Sequence, residues 1–132
     1  MIKRITMTNI EIFNTANALM EAFGTEQETS FPVKVNFFLQ KNMKSIVEMA
    51  QEIDKTRVEI MQKYGTLDEE TQQFTFEQDQ MDAANTELEG LFNLEQEVKT
   101  NMLDINLFDN VDMTNAQVSA ISYMIYDPDE EE

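Results

Sequence analysis

Residues 33–64 read VKVNFFLQKNMKSIVEMAQEIDKTRVEIMQKY, and this stretch decides the fold. Apolar side chains recur every seven positions along it, at Leu39, Ile46, Ile53 and Ile60. A second set fills the alternate positions of the same seam, at Met43, Ala50, Arg57 and Tyr64. This heptad pattern predicts one long amphipathic helix that ends at Gly65. The first six residues, VKVNFF, would also suit a strand because they are rich in β-branched and aromatic side chains.

A helix of this length needs a packing partner. About 30 residues of helix span about 45 Å, whereas a compact domain of this size has a diameter of roughly 36 Å. The segment 77–93 repeats the spacing with Met81, Ala84, Leu88 and Leu91. We therefore expect an antiparallel helical hairpin that projects from a small body, with the acidic segment 65–76 connecting its helices. Self-association of two copies through the long helix is the alternative that the pattern leaves open.

The tripeptide Met-Thr-Asn occurs at residues 7–9 and 113–115, and each copy predicts the start of a helix. Thr8 with Glu11, and Thr114 with Gln117, have the spacing of capping boxes. The methionine in front of each box can act as a hydrophobic staple. The first helix is predicted over 9–23, with Gly24 as its stop. Its apolar face includes Ile10, Phe13, Met20, Ile12, Ala16 and Leu19. The second helix is predicted over 115–126, with Val118, Ile121, Met124 and Ile125 as its apolar stripe.

Three further stretches predict short strands. Residues 2–7 suit a strand or an extended lead-in, and residues 72–76 suit another strand. Residues 95–108 alternate weakly and predict a strand with a break near residue 103, which would pair with either of the other two. The fold class expected is mainly α, within α+β: a long heptad helix in an antiparallel hairpin, flanking capped helices and a small sheet of short strands. We expect one domain over 1–126, followed by a solvated acidic tail over 127–132.

The composition excludes several chemistries. The chain has no cysteine and no histidine, which excludes disulfides, thiol nucleophiles, imidazole acid–base catalysis and histidine or cysteine zinc sites. Carboxylate clusters remain as candidates for catalysis or cation binding, at Asp68–Glu70, at Asp109 with Asp112, and at Asp127 with Asp129. None has the spacing of an EF-hand, and three glycines make a phosphate-binding loop unexpected. The sequence therefore predicts a protein that is not an enzyme and that carries no cofactor and no metal.

The charge is divided unequally along the chain. Residues 1–65 hold eight acidic and eight basic residues, whereas residues 66–132 hold 18 acidic residues and only Lys99 as a cation. The second half therefore carries the whole net charge of −17. Such a surface repels nucleic acid and attracts basic proteins over a screening length of ~8–10 Å. We expect the partner-binding carboxylates in the acidic turn and on the second hairpin helix, at Asp68, Glu69, Glu70, Glu77, Asp79, Asp82, Glu87 and Glu89.

Four stretches carry a resemblance to a known family: MTNIEIFNTANAL, FPVKVNFFLQKNMKSI, MQKYGTLDEE and EQEVKTNMLDI. Their order resembles the small bacteriophage proteins grouped as domain of unknown function 1617. The resemblance covers most of the chain and implies a phage or prophage origin. It implies no activity, and the family has no functional residues to carry over.

The acidic half has two interpretations. It is either a solubilising face, or a decoy that places carboxylates where a partner expects phosphates. The leading hypothesis is a non-enzymatic phage protein of the host cytoplasm that binds and blocks a basic, nucleic-acid-handling host protein, without itself binding nucleic acid or membrane. The alternative is a virion or tail accessory or assembly protein that acts through its helical hairpin. A homodimer through the long helix is compatible with both hypotheses.

Overall fold

The computed structural model describes residues 1–23 and 31–130 and shows a mainly helical α+β chain, as the sequence predicts. In chain order the elements are β1 (Ile2–Thr8), α1 (Asn9–Phe23), α2 (Val33–Tyr64), β2 (Thr66–Asp68), β3 (Gln73–Thr75), α3 (Gln78–Asn93), β4 (Glu95–Asn101), β5 (Leu103–Asp104), a 3-10 turn (Ile105–Phe108), α4 (Asn115–Ile121), a second 3-10 turn (Ser122–Met124) and β6 (Ile125–Tyr126).

The long helix is continuous over Val33–Tyr64, so the ambiguous VKVNFF stretch is helical. Its first turns stay helical because Val35 and Leu39, four positions apart, are both fully buried on one face. Pro32 immediately precedes the helix and fixes the backbone angle of its entry. At the other end, Gly65 closes the helix, and its N–H donates to the Met61 carbonyl at 2.8 Å.

The core surrounds the first two-thirds of α2. Helices α1 and α4 and the β1–β4 sheet pack there, with the end of α3. In the predicted seam, Leu39, Ile46, Ala50 and Ile53 are buried and Met43 is half-buried. No residue of α2 beyond Ile53 is buried. The core side chains include Met7, Ile12, Leu19, Leu39, Ile46, Ile53, Val98, Leu103, Ile121 and Met124.

Both capping boxes are confirmed. The Thr8 N–H donates to Glu11 Oε1 at 3.2 Å, and the Glu11 N–H donates to Thr8 Oγ1 at 3.3 Å. The corresponding distances for Thr114 and Gln117 are 3.0 and 3.1 Å. Met7 is buried in the same core cluster as Ile12, as a hydrophobic staple requires. Gly24, the predicted stop of the first helix, lies outside the described residues.

The predicted helix over 115–126 is too long. Helix α4 ends at Ile121, and Ile125–Tyr126 forms a strand that pairs in parallel with Leu103–Asp104. The backbone leaves the helix because that pairing satisfies its hydrogen-bonding groups. Within α4, Val118 is 46% exposed although it belongs to the predicted stripe.

Helix α1 buries a narrower face than its apolar residues suggest. Ile12, Ala16 and Leu19 are fully buried, at the spacing of one helical stripe. Ile10 and Met20 are 39% and 44% exposed, so these two predicted face residues lie at the edge of the contact.

The strand predicted within residues 95–108 pairs with the strand at the start of the chain. Strand β1 pairs antiparallel with β4, with Ile5 opposite Val98. Strand β3 pairs instead with β2, so residues 73–75 form a hairpin between the two long helices. The strand over 95–108 breaks at Met102, whose N–H donates to the Met1 carbonyl at 2.8 Å. Residues beyond Asp104 form a 3-10 turn in place of the predicted strand.

A buried asparagine ties α2 to the end of β4. Asn42 is 2% exposed, and its Oδ1 accepts from the Asn101 backbone N–H at 2.8 Å and from Asn101 Nδ2 at 3.1 Å. Its Nδ2 donates to the Asn101 carbonyl at 2.9 Å. The side chain thus completes the hydrogen bonds of a strand end that lies against the helix.

Candidate partner-binding surface

The two long helices extend past the core as a distal arm, which we define as residues 54–90. The arm contains the last turns of α2, the β2–β3 hairpin and most of α3. Ala84 is the single buried residue of this segment, all of which the structure describes. Beyond Ile53, α2 continues for eleven residues, which corresponds to a projection of about 16 Å.

Apolar side chains between α2 and α3 hold the arm together. Met61, Phe76, Met81, Ala84 and Leu88 line a groove of ≈190 Å³ between α2 and α3. Phe76 also packs over Gly65, where an added Cβ would approach the Phe76 ring to 2.6 Å. The φ of Gly65 is −119°, which any residue can adopt, so the backbone conformation does not require glycine here. Glycine is needed because a side chain at this position would collide with the Phe76 ring.

The tip of the arm is a tight acidic turn between β2 and β3. Asp68 Oδ1 accepts from the Glu70 N–H at 2.9 Å, and the Asp68 carbonyl accepts from the Gln72 N–H at 2.8 Å. Gln72 adopts a positive φ of 58°, and its side chain donates to the Glu69 carbonyl at 2.8 Å. These bonds present Asp68, Glu69 and Glu70 together at the tip, with all three residues exposed.

The outer face of α3 is acidic. At about 100° per residue, Asp79, Asp82 and Glu89 fall within an arc of about 80°, opposite the buried Ala84. Asp82 and Glu89 are seven positions apart, which places them about 10.5 Å apart along one stripe of the helix. Glu77 precedes the first turn, where the helix dipole favours a negative charge.

Glu87 differs from the other seven predicted site residues. It lies on the flank of α3 that faces α2, and its Oε1 is 3.2 Å from Lys63 Nζ. Contacts with Tyr64 and then with Glu87 raise the pKa of Lys63, so the cation of this pair stays charged. Glu87 therefore contributes to the contact between the two helices, and the other seven carboxylates are exposed.

The seven exposed carboxylates are mostly unpaired. Asp68 and Asp79 each accept from a nearby backbone N–H. Over the described ranges 1–23 and 31–130, no side-chain partner within hydrogen-bond distance is found for Glu69, Glu70, Glu77, Asp82 or Glu89. Residues 66–98 contain no lysine or arginine, so the cations of the arm are those at the end of α2, at Lys55, Arg57 and Lys63. The surface thus carries negative charge that a basic partner could neutralise.

The other carboxylate clusters are exposed and separate. Asp109 and Asp112 lie between the first 3-10 turn and α4, and Asp127 Oδ1 accepts from the Asp129 N–H at 2.9 Å in a terminal turn. In the described part of the chain, no group of three or more acidic residues comes together as metal ligands. No described helix combines the length and the hydropathy that a membrane span requires.

One exposed surface, at the start of α2, was not predicted from the sequence. We call it the basic stripe and define it as Val33, Lys34, Phe37, Lys41 and Lys44. The signal in the sequence is the absence of any acidic residue between Glu28 and Glu48. The heptad seam of the same helix is, in contrast, occupied, because Leu39, Ile46 and Ile53 are buried within the chain itself. A homodimer would therefore have to use another surface than this part of the seam.

Comparison of the chain with protein-family models, with curated proteins and with solved structures returned no match. The resemblance to the phage family stays a prediction.

Proposed function

We propose that this protein is a non-enzymatic, phage-encoded inhibitor that uses its distal arm to bind a basic, nucleic-acid-handling host protein. One observation carries the proposal: seven exposed carboxylates lie on the tip of the arm and on or just before α3, in a stretch of 33 residues without a cation. The phage origin, and with it the host cytoplasm as the place of action, comes from the resemblance of the sequence.

The charge density of the arm is comparable in scale to that of a nucleic-acid strand. Asp79, Asp82 and Glu89 extend over ten residue steps of helix, or about 15 Å, so their mean spacing along the axis is about 7.5 Å. One strand of duplex DNA carries a phosphate about every 3.4 Å along its axis. A protein surface that neutralises phosphates with lysine and arginine would therefore find on α3 a row of charges at about half the density of one DNA strand.

The mechanism is electrostatic steering followed by occlusion. Opposite charges speed the encounter of two proteins, and this gain falls as salt screens the charges. The arm extends away from the core, so a partner can contact its outer face without contacting the neutral half of the chain. Because the bound arm would occupy the surface that binds phosphates, nucleic acid and this protein should compete for the partner.

Affinity capture from a bacterial lysate tests the proposal. The arm variant changes five tip and helix residues to the corresponding amides, at Asp68, Glu69, Glu70, Asp79 and Asp82. The matched control removes five exposed carboxylates outside the arm, at Glu95, Glu97, Asp109, Asp112 and Glu130. Both variants lose the same charge, so a difference between them reports position and not net charge.

We expect the wild type and the control to capture the same basic protein, and added duplex DNA to displace it. The arm variant should lose that capture. Equal capture by the arm variant at low and at high salt would contradict the proposal and would direct attention to the neutral half of the chain.

A virion or tail accessory role is the second candidate, and the projecting arm favours it. A two-helix arm with a hairpin tip can reach a neighbouring structural protein while the core stays clear of it. Mass spectrometry of purified virions from the source phage tests this role. Detection in infected cells together with absence from the particles would remove it.

A further inference from the structure

The basic stripe is a surface of unusual composition in a chain with a net charge of −17. Its five side chains fall within an arc of about 100° on the first three turns of α2. Val33 is 87% exposed and Phe37 is 61% exposed, so two large apolar groups lie in water between three lysines. An apolar centre with a polar, solvent-accessible rim is the general layout of an interaction surface.

The lysines of the stripe lack acidic partners within the chain. None of Lys34, Lys41 and Lys44 has a carboxylate within 4.0 Å among residues 1–23 and 31–130. Lys41 Nζ instead lies 6.0 Å from the centre of the Phe37 ring, and that ring packs edge-to-face on Phe38 at 5.3 Å. The exposed phenylalanine therefore contacts Phe38 and lies beside lysines that no carboxylate of the described residues neutralises.

The complementary surface belongs to the same protein. Lys34 and Lys41 are seven positions apart, and so are Asp82 and Glu89 on the outer face of α3. Each pair therefore spans about 10.5 Å along its helix. When the two helices lie side by side, in either direction, both lysines can meet both carboxylates at once. Asp79 lies near Asp82 on the same face and adds negative charge. In an antiparallel arrangement it lies opposite Lys44, and in a parallel arrangement it lies near Lys34.

These two surfaces cannot meet within one molecule. Lys41 lies 22 positions before Lys63 on α2, which is about 33 Å along the axis, and Lys63 contacts α3 at Glu87. The helix between them is continuous. A contact between the stripe and the outer face of α3 is therefore a contact between two copies.

We propose that the protein associates head to tail, with the basic stripe of one copy docked on the Asp79–Asp82–Glu89 face of a second copy. The two contacting surfaces differ, so every pair leaves one stripe and one acidic face free, and further copies can add as an open chain or a ring. This inference goes beyond the proposed function, although it uses the same acidic face. A basic partner and a second copy therefore compete for the arm.

Reciprocal charge reversal tests the contact on purified protein, without any partner. The first variant is Lys34→Glu with Lys41→Glu, and the second is Asp82→Lys with Glu89→Lys. Lys3→Glu with Lys55→Glu serves as the control, because it reverses two exposed lysines outside the stripe. All six positions are exposed, and melting curves of the variants check that each folds like the wild type.

Sedimentation velocity in about 0.1 M salt should show the wild type and the control above the monomer mass of 15.3 kDa, with a mass that rises with concentration. In about 1 M salt, where the screening length falls to ~3 Å, both should dissociate. Each reversed variant alone should be monomeric, because its two surfaces have the same sign. An equimolar mixture of the two should associate again.

A wild type that sediments as a monomer at every concentration overturns the inference, and so does a mixture that fails to associate. The proposed function is separable from it. The Lys34→Glu, Lys41→Glu variant keeps the whole acidic face, and it should still capture the basic partner from lysate whether or not the wild type self-associates.

Discussion

Asn42 provides the sharpest test of the packing between α2 and β4. Its amide satisfies both backbone groups of Asn101, at 2.8 and 2.9 Å, from a position that is 2% exposed. Asn42→Leu keeps the approximate volume of the side chain and removes these bonds. The N–H and the carbonyl of Asn101 would then face an apolar side chain.

The expected loss of stability is estimated from the N–H and the carbonyl of Asn101. A buried polar group that loses its partner costs about 1–3 kcal/mol. Asn101 is only half-buried, so water can reach it in part, and the lower end of that range applies to each group. We therefore expect a loss of about 2–4 kcal/mol in the free energy of unfolding. For 132 residues this corresponds to a fall of about 7–14 °C in melting temperature.

Thermal unfolding followed by far-ultraviolet circular dichroism measures this loss. Asn36→Leu is the matched control, because Asn36 is an exposed asparagine on the same helix and should change stability by less than about 0.5 kcal/mol. Asn101→Ala keeps both backbone bonds and should cost about 1 kcal/mol. If Asn42→Leu melts together with the control, the hydrogen bonds of Asn42 do not stabilise the fold and the reasoning is wrong.

Four further substitutions test the fold elsewhere by thermal unfolding. Ile53→Asp places a charge in a seam position that is 3% exposed and should cost about 3–5 kcal/mol; an unchanged melting curve would show that the seam is not buried. Gly90→Ala should raise the free energy of unfolding by about 0.5–1 kcal/mol, because the added Cβ lies in a helix interior with nothing within 4 Å. Gly65→Ala should lower the free energy of unfolding by about 1–2 kcal/mol, because its Cβ would press against the Phe76 ring. Changes of the same sign for both variants would refute the contact between Gly65 and Phe76. Burial raises the pKa of Tyr123 from 10.0 to about 12, so the stability that its neutral form contributes is complete below pH 10.0 and is lost as the pH rises to about 12. Tyr123→Phe should remove that loss, and parallel stability–pH curves for the two proteins would contradict it.

The elements that the sequence predicts well are those set by local patterns. The heptads of α2 and the two capping boxes depend on residues within one or two turns of each other, so their spacing is visible in the chain. The end of α4 depends instead on Leu103, about twenty residues away, because Ile125 leaves the helix to pair with it. Periodicity cannot reveal such a contact.

The environment of a polar side chain can also depend on contacts that are distant in the sequence. Asn42 looks like a solvated flank of the heptad helix, and it is buried because the end of β4 lies against it. The acidic surface could be predicted because charge is read directly from residue types. The ion pair of Glu87 with Lys63 could not be predicted, because it depends on which turn of α3 lies beside Lys63.

The central claim is that the outer face of the distal arm is the surface that meets a basic partner. The most direct measurement is the rate at which the captured partner associates with each protein, compared between about 0.1 M and 1 M salt, where the screening length falls from ~10 Å to ~3 Å. We expect fast association that slows steeply with salt for the wild type and for the variant neutralised outside the arm. The variant neutralised at Asp68, Glu69, Glu70, Asp79 and Asp82 should associate slowly, with little dependence on salt. An arm variant that matches the wild type in both rate and salt dependence would contradict the claim.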